Sequence, residues 1–267
     1  MTAVDFSQFV DDLAHVSSEV ILPFFRTQLS IQDKAVSGAF DPVTEADKAA
    51  EIVMRHRIRS TFPEHGIIGE EFGDERADAE YVWVLDPIDG TKSFICGLPI
   101  WGTLIGLTRN GIPVHGLMHQ PFTGERFSSD GKQTLYRGPA GERILRTRDC
   151  TRLDHATTST TSPLLMSESE LRQYHQVEKH ARVSRYGGDC YSYCMLAAGH
   201  LDLVIECGLK PHDVVALIPI IQGAGGVITT WSGRDASSGG QIIASATPEL
   251  HRAALEALNQ TPDYPAL

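Results

Sequence analysis

Asp86 and Asp89 stand three residues apart in the run Trp83-Val-Leu-Asp-Pro-Ile-Asp-Gly-Thr-Lys-Ser-Phe94, after an apolar stretch and before a glycine and a hydroxyl. The stretch from Tyr81 to Leu85 predicts a strand. Pro87 lacks an amide donor, so the pleat is expected to stop there and leave both aspartates in the turn beyond it. Carboxylates in such a turn are hard oxygen ligands for a cation such as Mg²⁺. Gly90 and Thr91 then offer backbone N–H groups where a helix begins, which is where a phosphate is best held.

Three other places put acids at the ends of strands or the starts of helices: Asp47, Glu70 with Glu71, and Asp213. Mg²⁺ takes octahedral oxygen donors and retains waters, so two or three ions could share these carboxylates with a substrate phosphate. Paired ions clamp an in-line displacement. Taken singly, each acid also reads as a solvated turn or helix-start residue favoured by the helix dipole. The Pro-Ile pair between two acids, with Gly-Thr behind them, favours chemistry at Asp86 and Asp89. Glu70 follows a strand and a glycine and leans the same way, whereas Asp47 and Asp213 stay open between the two readings.

The elements that must position these acids are partly legible. Phe6, Phe9, Val10, Leu13, Val16, Val20, Ile21 and Phe24 recur at helical spacing and predict an amphipathic helix packed on a core. Asp41-Pro-Val-Thr44 opens a second helix to about Ser60, with Thr44 and Asp47 spaced as a capping box. A short strand ending in acids is expected at Ile67-Ile-Gly-Glu-Glu71. Strands at Thr103–Thr108 and Val114–Met118 flank Asn110-Gly111, a hairpin signal, and another strand is expected near Gly124–Ser129. The polar stretch from Gly138 to Ser162 suggests a division into residues 1–145 and 146–267 within one compact unit. Beyond it the pattern predicts a helix over Cys190–Gly199 capped by Asp189 and a buried strand at Leu201–Ile205. A helix over His212–Gly223, kinked by Pro219, should precede a strand at Val227–Thr230. The first half reads as an antiparallel sheet and the second as mixed α/β.

The whole chain narrows the partners. With 267 residues, a net charge of −11 and a pI near 5.4, it is not built for nucleic acid or an anionic membrane, and a small phosphate ester would need cations to approach. Cys96, Cys150, Cys190, Cys194 and Cys207 are odd in number and lack paired spacing, which predicts reduced thiols. No zinc site is expected among the eleven histidines. Asp5, Asp11 and Asp12 stand where a signal peptide would be basic, so a cytoplasmic protein is expected.

Asp41-Pro-Val-Thr-Glu-Ala-Asp47, Gly69-Glu-Glu71, Asp86-Pro-Ile-Asp-Gly-Thr91, and Asp213 followed by Ala224-Gly-Gly226 together resemble the inositol monophosphatase family of Mg²⁺-dependent phosphatases, over nearly the whole chain. The resemblance implies a layered αβαβα sandwich, mixed α/β in class, and a homodimer. It implies Glu70, Asp86 and the Ile88 carbonyl as ligands of one Mg²⁺, and Asp86, Asp89 and Asp213 as ligands of another. The Gly90 and Thr91 amides would cradle the phosphate. Glu70 and Thr91 would orient the attacking water, with Asp47 holding Thr91 through a hydrogen bond.

Phe72, Lys92-Ser93 and His212 depart from the inositol-specific pattern while leaving the metal ligands intact. The segments Gly187-Gly-Asp-Cys-Tyr191, Gly97–Thr103 and Gly116–Pro121 resemble the histidinol-phosphatase branch. Arg185, Asp189 and Glu206 fall in segments that line the family's leaving-group pocket. Acids at 189 and 206 suit a cationic amine or imidazole better than a neutral polyol. Asp189 as a helix cap, Glu206 as a solvated strand end and Arg185 as a surface ion-pair partner are the plainer alternatives. The implied substrate is L-histidinol phosphate. The alternatives are inositol 1-phosphate, a 3′-phosphoadenosine nucleotide, or a binding homologue without turnover.

Overall fold

Residues 6–27, 31–33 and 42–260 are described by the computed structural model; Asp5 and Asp41 lie outside them. The first half runs α1 (Phe6–Ile21), β1 (Ile31–Asp33), β2 (Pro42–Thr44), α2 (Glu45–Thr61), β3 (Gly66–Gly69), β4 (Gly73–Glu75), β5 (Tyr81–Asp89), α3 (Thr91–Ile95), β6 (Gly102–Arg109), β7 (Ile112–Gln120), β8 (Glu125–Ser129), β9 (Thr134–Gly138) and β10 (Gly141–Ile144). There follow β11 (Thr157–Thr160), α4 (Glu168–Glu178), β12 (Val183–Tyr186), α5 (Asp189–Ala197), β13 (Leu203–Leu209), α6 (Pro211–Val214), α7 (Leu217–Gly223), β14 (Val227–Thr230), β15 (Gly240–Ser245) and α8 (Pro248–Leu258).

Side-chain alternation along the strands sorts these elements into layers. In β6, Ile105 and Leu107 pack with Leu13 of α1 and Met54 of α2, while Leu104 turns to the opposite face. There it meets α5 and α7, which also receive Val204 of β13 and Ala244 of β15. The neighbours Leu203, Ile205 and Ile243 point away, against Tyr174 of α4 and Leu250 of α8. Burying each Leu or Ile contributes about 1.5–3 kcal/mol, so every strand is held by what covers both of its faces. The result is the αβαβα sandwich, with an eight-stranded sheet in the order β10-β9-β8-β7-β6-β5-β3-β4 and a five-stranded sheet in the order β12-β11-β13-β15-β14. Among the described residues no helix is long and apolar enough to cross a membrane.

The expected turn at Asn110-Gly111 is present, and both residues adopt positive φ, as a two-residue hairpin matched to strand twist requires. The capping box of α2 is present too.

The end of β5 departs from expectation. The strand does not stop at Pro87 but runs on to Asp89, with its register to β6 shifting from Asp86↔Leu104 to Asp89↔Gly102. Three steps on β5 oppose two on β6, so a bulge carries the extra residue. The missing proline N–H falls in that irregular stretch, and the Pro87 carbonyl is satisfied by the Thr103 hydroxyl at 2.8 Å. Two other helical expectations also change. Asp189 is not a cap but the first residue of α5, behind Gly188, and its side chain makes no cap hydrogen bond. The helix expected over 212–223 is split into α6 and α7, with the break four residues before Pro219, where the proline ring would meet the i−4 carbonyl.

Candidate active site

The bulge delivers Asp86 and Asp89 to one place, and the first turn of α6 brings Asp213 to them. Oxygen atoms of the three carboxylates lie within 4.8 Å of one another. Each is anchored by a backbone amide: Asp86 Oδ1 accepts from Ile88 N–H at 3.0 Å, Asp89 Oδ2 from Cys190 N–H at 2.6 Å, and Asp213 Oδ2 from Lys210 N–H at 2.6 Å. Burial first, then Glu70, Asp89, Asp213 and Asp47, pushes the Asp86 carboxyl well above its ordinary value. Asp89 is raised by burial and by Asp189 and Asp213. Asp213 is raised by burial, partly offset by the neighbouring His212. All-oxygen, mutually repelling carboxylates with fixed lone pairs fit a hard divalent cation.

Glu70 follows β3, its amide donating to Leu85 O at 3.2 Å across the sheet, so the backbone of this acid is pinned beside β5. Asp47 sits in the first turn of α2 and accepts from the Thr44 amide (2.8 Å) and hydroxyl (2.5 Å). Burial outweighs those bonds and, with Glu71 and Glu70 nearby, lifts Asp47 to about 7. The hydrogen bond from Thr91 to Asp47 implied by the resemblance is not the one formed. Thr91 Oγ1 donates its single proton to the Ile88 carbonyl at 3.1 Å, while Thr44 engages Asp47.

Gly90 caps α3 with φ 83°, which turns the chain from strand into helix. A Cβ there would lie 2.8 Å from Asp189 Oδ2. Asp189 itself has φ 43°, a left-handed conformation that Asp tolerates better than most residues, and its Oδ2 accepts the Ser93 hydroxyl at 2.7 Å. Burial raises its pKa against the lowering effects of Ser93 and Lys92. The acid therefore lies against the turn that follows Asp89.

A cavity of about 150 Å³ opens from this turn, lined by Asp89, Asp189, Glu206 and Asp213 with Tyr193, Leu165 and other side chains, and carries no basic residue among the described ones. Glu206 is buried rather than a solvated strand end; it accepts from Thr161 N–H (2.7 Å), Thr161 Oγ1 (3.0 Å) and Thr160 Oγ1 (3.3 Å). Burial nevertheless lifts it to about 7. Arg185 is not brought in: it is exposed on β12, an edge strand, and does not line the cavity. Sequence reasoning missed Thr161 and Ser93 as the partners of the two pocket acids. Their contacts span 45 and 96 residues, so no local spacing could show them.

A family model described as the inositol monophosphatase family matches residues 5–263. The chloroplastic bifunctional phosphatase IMPL2 of Arabidopsis thaliana is 45% identical over 258 residues, covering 92% of this chain and 72% of that protein. A histidinol-phosphatase of Chlorobaculum parvum is 29% identical, covering 94% and 95% of the two chains. The solved structure of an inositol monophosphatase from Zymomonas mobilis superposes with a TM-score of 0.85 at 40% identity, covering 97% and 100%.

Proposed function

The chain belongs to the inositol monophosphatase family of phosphatases, and from that premise we propose that it hydrolyses L-histidinol phosphate to L-histidinol and phosphate. The observation that carries this reading is the pair Asp189 and Glu206, two acids in a cavity without a basic side chain beyond those that face the metal position. A protonated amine or imidazole gains charge-assisted hydrogen bonds there, while a neutral polyol leaves both buried carboxylates without a counter-charge. The name of the Chlorobaculum relative, a histidinol-phosphatase, supports the same direction.

In this reading Glu70, Asp86, Asp89, Asp213 and the Ile88 carbonyl hold Mg²⁺, two or three ions per site. Bound Mg²⁺ supplies a water of lowered pKa and neutralises charge on the phosphate and leaving oxygens. The protein's own groups do the rest. Gly90 and Thr91, at the start of α3, present amides to the phosphate. With its proton committed to Ile88, Thr91 Oγ1 offers lone pairs to the attacking water, and Glu70 is the second acceptor. Asp47 acts one step back, fixing the start of α2 beside Glu70. Asp189 and Glu206 orient the cationic end of the alcohol.

The five free thiols support a reducing compartment such as the cytoplasm, and exposed Leu164, Leu165 and Tyr186 fit the covered face of a homodimer. Steady-state kinetics with Mg²⁺ on a panel of phosphate esters tests the substrate. Histidinol phosphate is expected to give the highest kcat/KM. A higher value for inositol 1-phosphate, the reading favoured by the Zymomonas likeness, or for a 3′-phosphoadenosine nucleotide overturns it. Absence of Mg²⁺-dependent phosphate release from every ester would indicate a binding homologue.

A further inference from the structure

One turn beyond Asp47 on the same face of α2, Glu51 and Arg55 form an ion pair removed from solvent, with side chains 0% and 5% exposed and Nε to Oε1 at 2.7 Å. A buried pair of this kind gives little net stability, because desolvating two charges offsets their attraction. What distinguishes it is where its remaining hydrogen bonds go. Glu51 Oε2 accepts the amide of Glu71 at 2.8 Å, and Oε1 accepts the amide of Phe72 at 3.2 Å. Arg55 donates to the carbonyl of Gly73. The carboxylate also lies so close to Gly69 that a Cβ there would overlap it.

The segment gripped in this way is the connection between β3 and β4 that carries Glu70. It stands at the edge of the eight-stranded sheet, where β4 has only three residues and one neighbour. From the sheet side the Glu70 amide is tied to Leu85; from the helix side the next three residues are tied to Glu51 and Arg55. We propose that Glu51 and Arg55 are positioning residues that hold Glu70 at the metal site, linking the acid to α2, the helix that also delivers Asp47. The inference rests on the reading of Glu70 as a metal ligand.

Calorimetric titration of the full chain with Mg²⁺, alongside thermal unfolding, tests it. Outer partners of metal ligands commonly set affinity by about 10–100-fold. Glu51→Gln, which keeps the shape but removes one charged acceptor, is expected to weaken Mg²⁺ binding about tenfold and to raise the Mg²⁺ concentration for half-maximal rate in parallel. kcat at saturating Mg²⁺ should move much less. The double variant Glu51→Leu/Arg55→Met keeps the volume apolar and removes every bond to the connection; it is expected to stay folded and to weaken binding further. Wild-type Mg²⁺ affinity in the folded fraction of either variant, with only a lowered Tm, overturns the positioning role. Failure of the wild-type chain to bind Mg²⁺ would instead remove the metal reading, and the inference with it.

Discussion

Asp89 Oδ2 accepts a 2.6 Å hydrogen bond from the backbone N–H of Cys190, which lies 101 residues further along the chain. The bond ties the last residue of β5, in the large sheet, to the first turn of α5, the helix between the sheets. One carboxylate is thereby oriented towards Asp86 and Asp213 on one side and the cavity on the other.

Asp86→Asn keeps an oxygen for the Ile88 amide but removes a charge from a cluster whose members repel one another. The expected outcome is a kcat lower by about 100-fold or more together with a metal-free protein of higher Tm than wild type. Mg²⁺ at about 100 times its Kd should stabilise wild type by about 2.7 kcal/mol and the variant far less. Thermal scans with and without a chelator, read beside activity, decide this. Wild-type turnover at saturating Mg²⁺ would sink the ligand role.

Asp189→Asn can still accept from Ser93, so its fold should survive while the charge offered to a cationic substrate is lost. A charged hydrogen bond is worth about 1.5–3 kcal/mol, so kcat/KM for histidinol phosphate should fall about 10–100-fold. A neutral ester such as p-nitrophenyl phosphate should change little. Equal losses on both esters would place Asp189 in the architecture of the Gly90 turn alone.

Glu206 is an acid whose pKa rises from 4.5 to about 7 on folding. The folded state then holds a proton that the unfolded state has released, so its contribution to stability is complete below about pH 4.5 and is lost as pH climbs through 7. In chelator, wild type should therefore lose stability against Glu206→Gln across this window, by about 1.4 kcal/mol per unit of pKa difference. Recognition runs the other way, since only the ionised acid attracts a cation. KM for histidinol phosphate should rise below pH 7 relative to KM for the neutral ester, and the ratio cancels titration of the shared phosphate. Parallel pH profiles for the two esters would exclude Glu206 from substrate recognition.

Gly90→Ala places a methyl group 2.8 Å from Asp189 Oδ2 at a residue with φ 83°. The backbone cost alone is about 1–2 kcal/mol, and the displaced turn carries the amides proposed to face the phosphate. A Tm drop with at least a tenfold loss of kcat/KM on every ester is expected. Unchanged kinetics would show that these amides do not hold the phosphate.

Much of the acidic cluster and its turn could be read from the chain because its parts are local. Asp86, Asp89, Gly90 and Thr91 are near neighbours in sequence, and the Thr44–Asp47 capping box is a three-residue pattern. The strands β4, β9, β10, β11, β12 and β15 went unread; β4, β10 and β12 are mostly exposed, and β11 consists of hydroxyl residues alone. Their identity as strands comes from partners elsewhere in the sheets, such as Thr158↔Leu203. The same holds for the pocket: Asp189 and Glu206 were visible as acids, whereas their burial and their hydroxyl partners depend on long-range packing. Pro87 misled for a physical reason, since it lacks the donor a regular ladder needs and sits where the ladder is irregular.

That irregularity settles a question of parity. In an evenly pleated strand, residues an odd number of steps apart look to opposite sides, so two acids in the order Asp-x-x-Asp would be divided by the sheet. The surplus residue in β5 turns odd into even, and the side chain that anchors it is Ile88, fully enclosed with Phe94 and Trp101. An apolar side chain with no part in the chemistry thus keeps the two aspartates on speaking terms. Grafting Asp-Pro-Ile-Asp-Gly-Thr onto a flat strand of another protein would transfer the letters of the motif and leave its two carboxylates back to back.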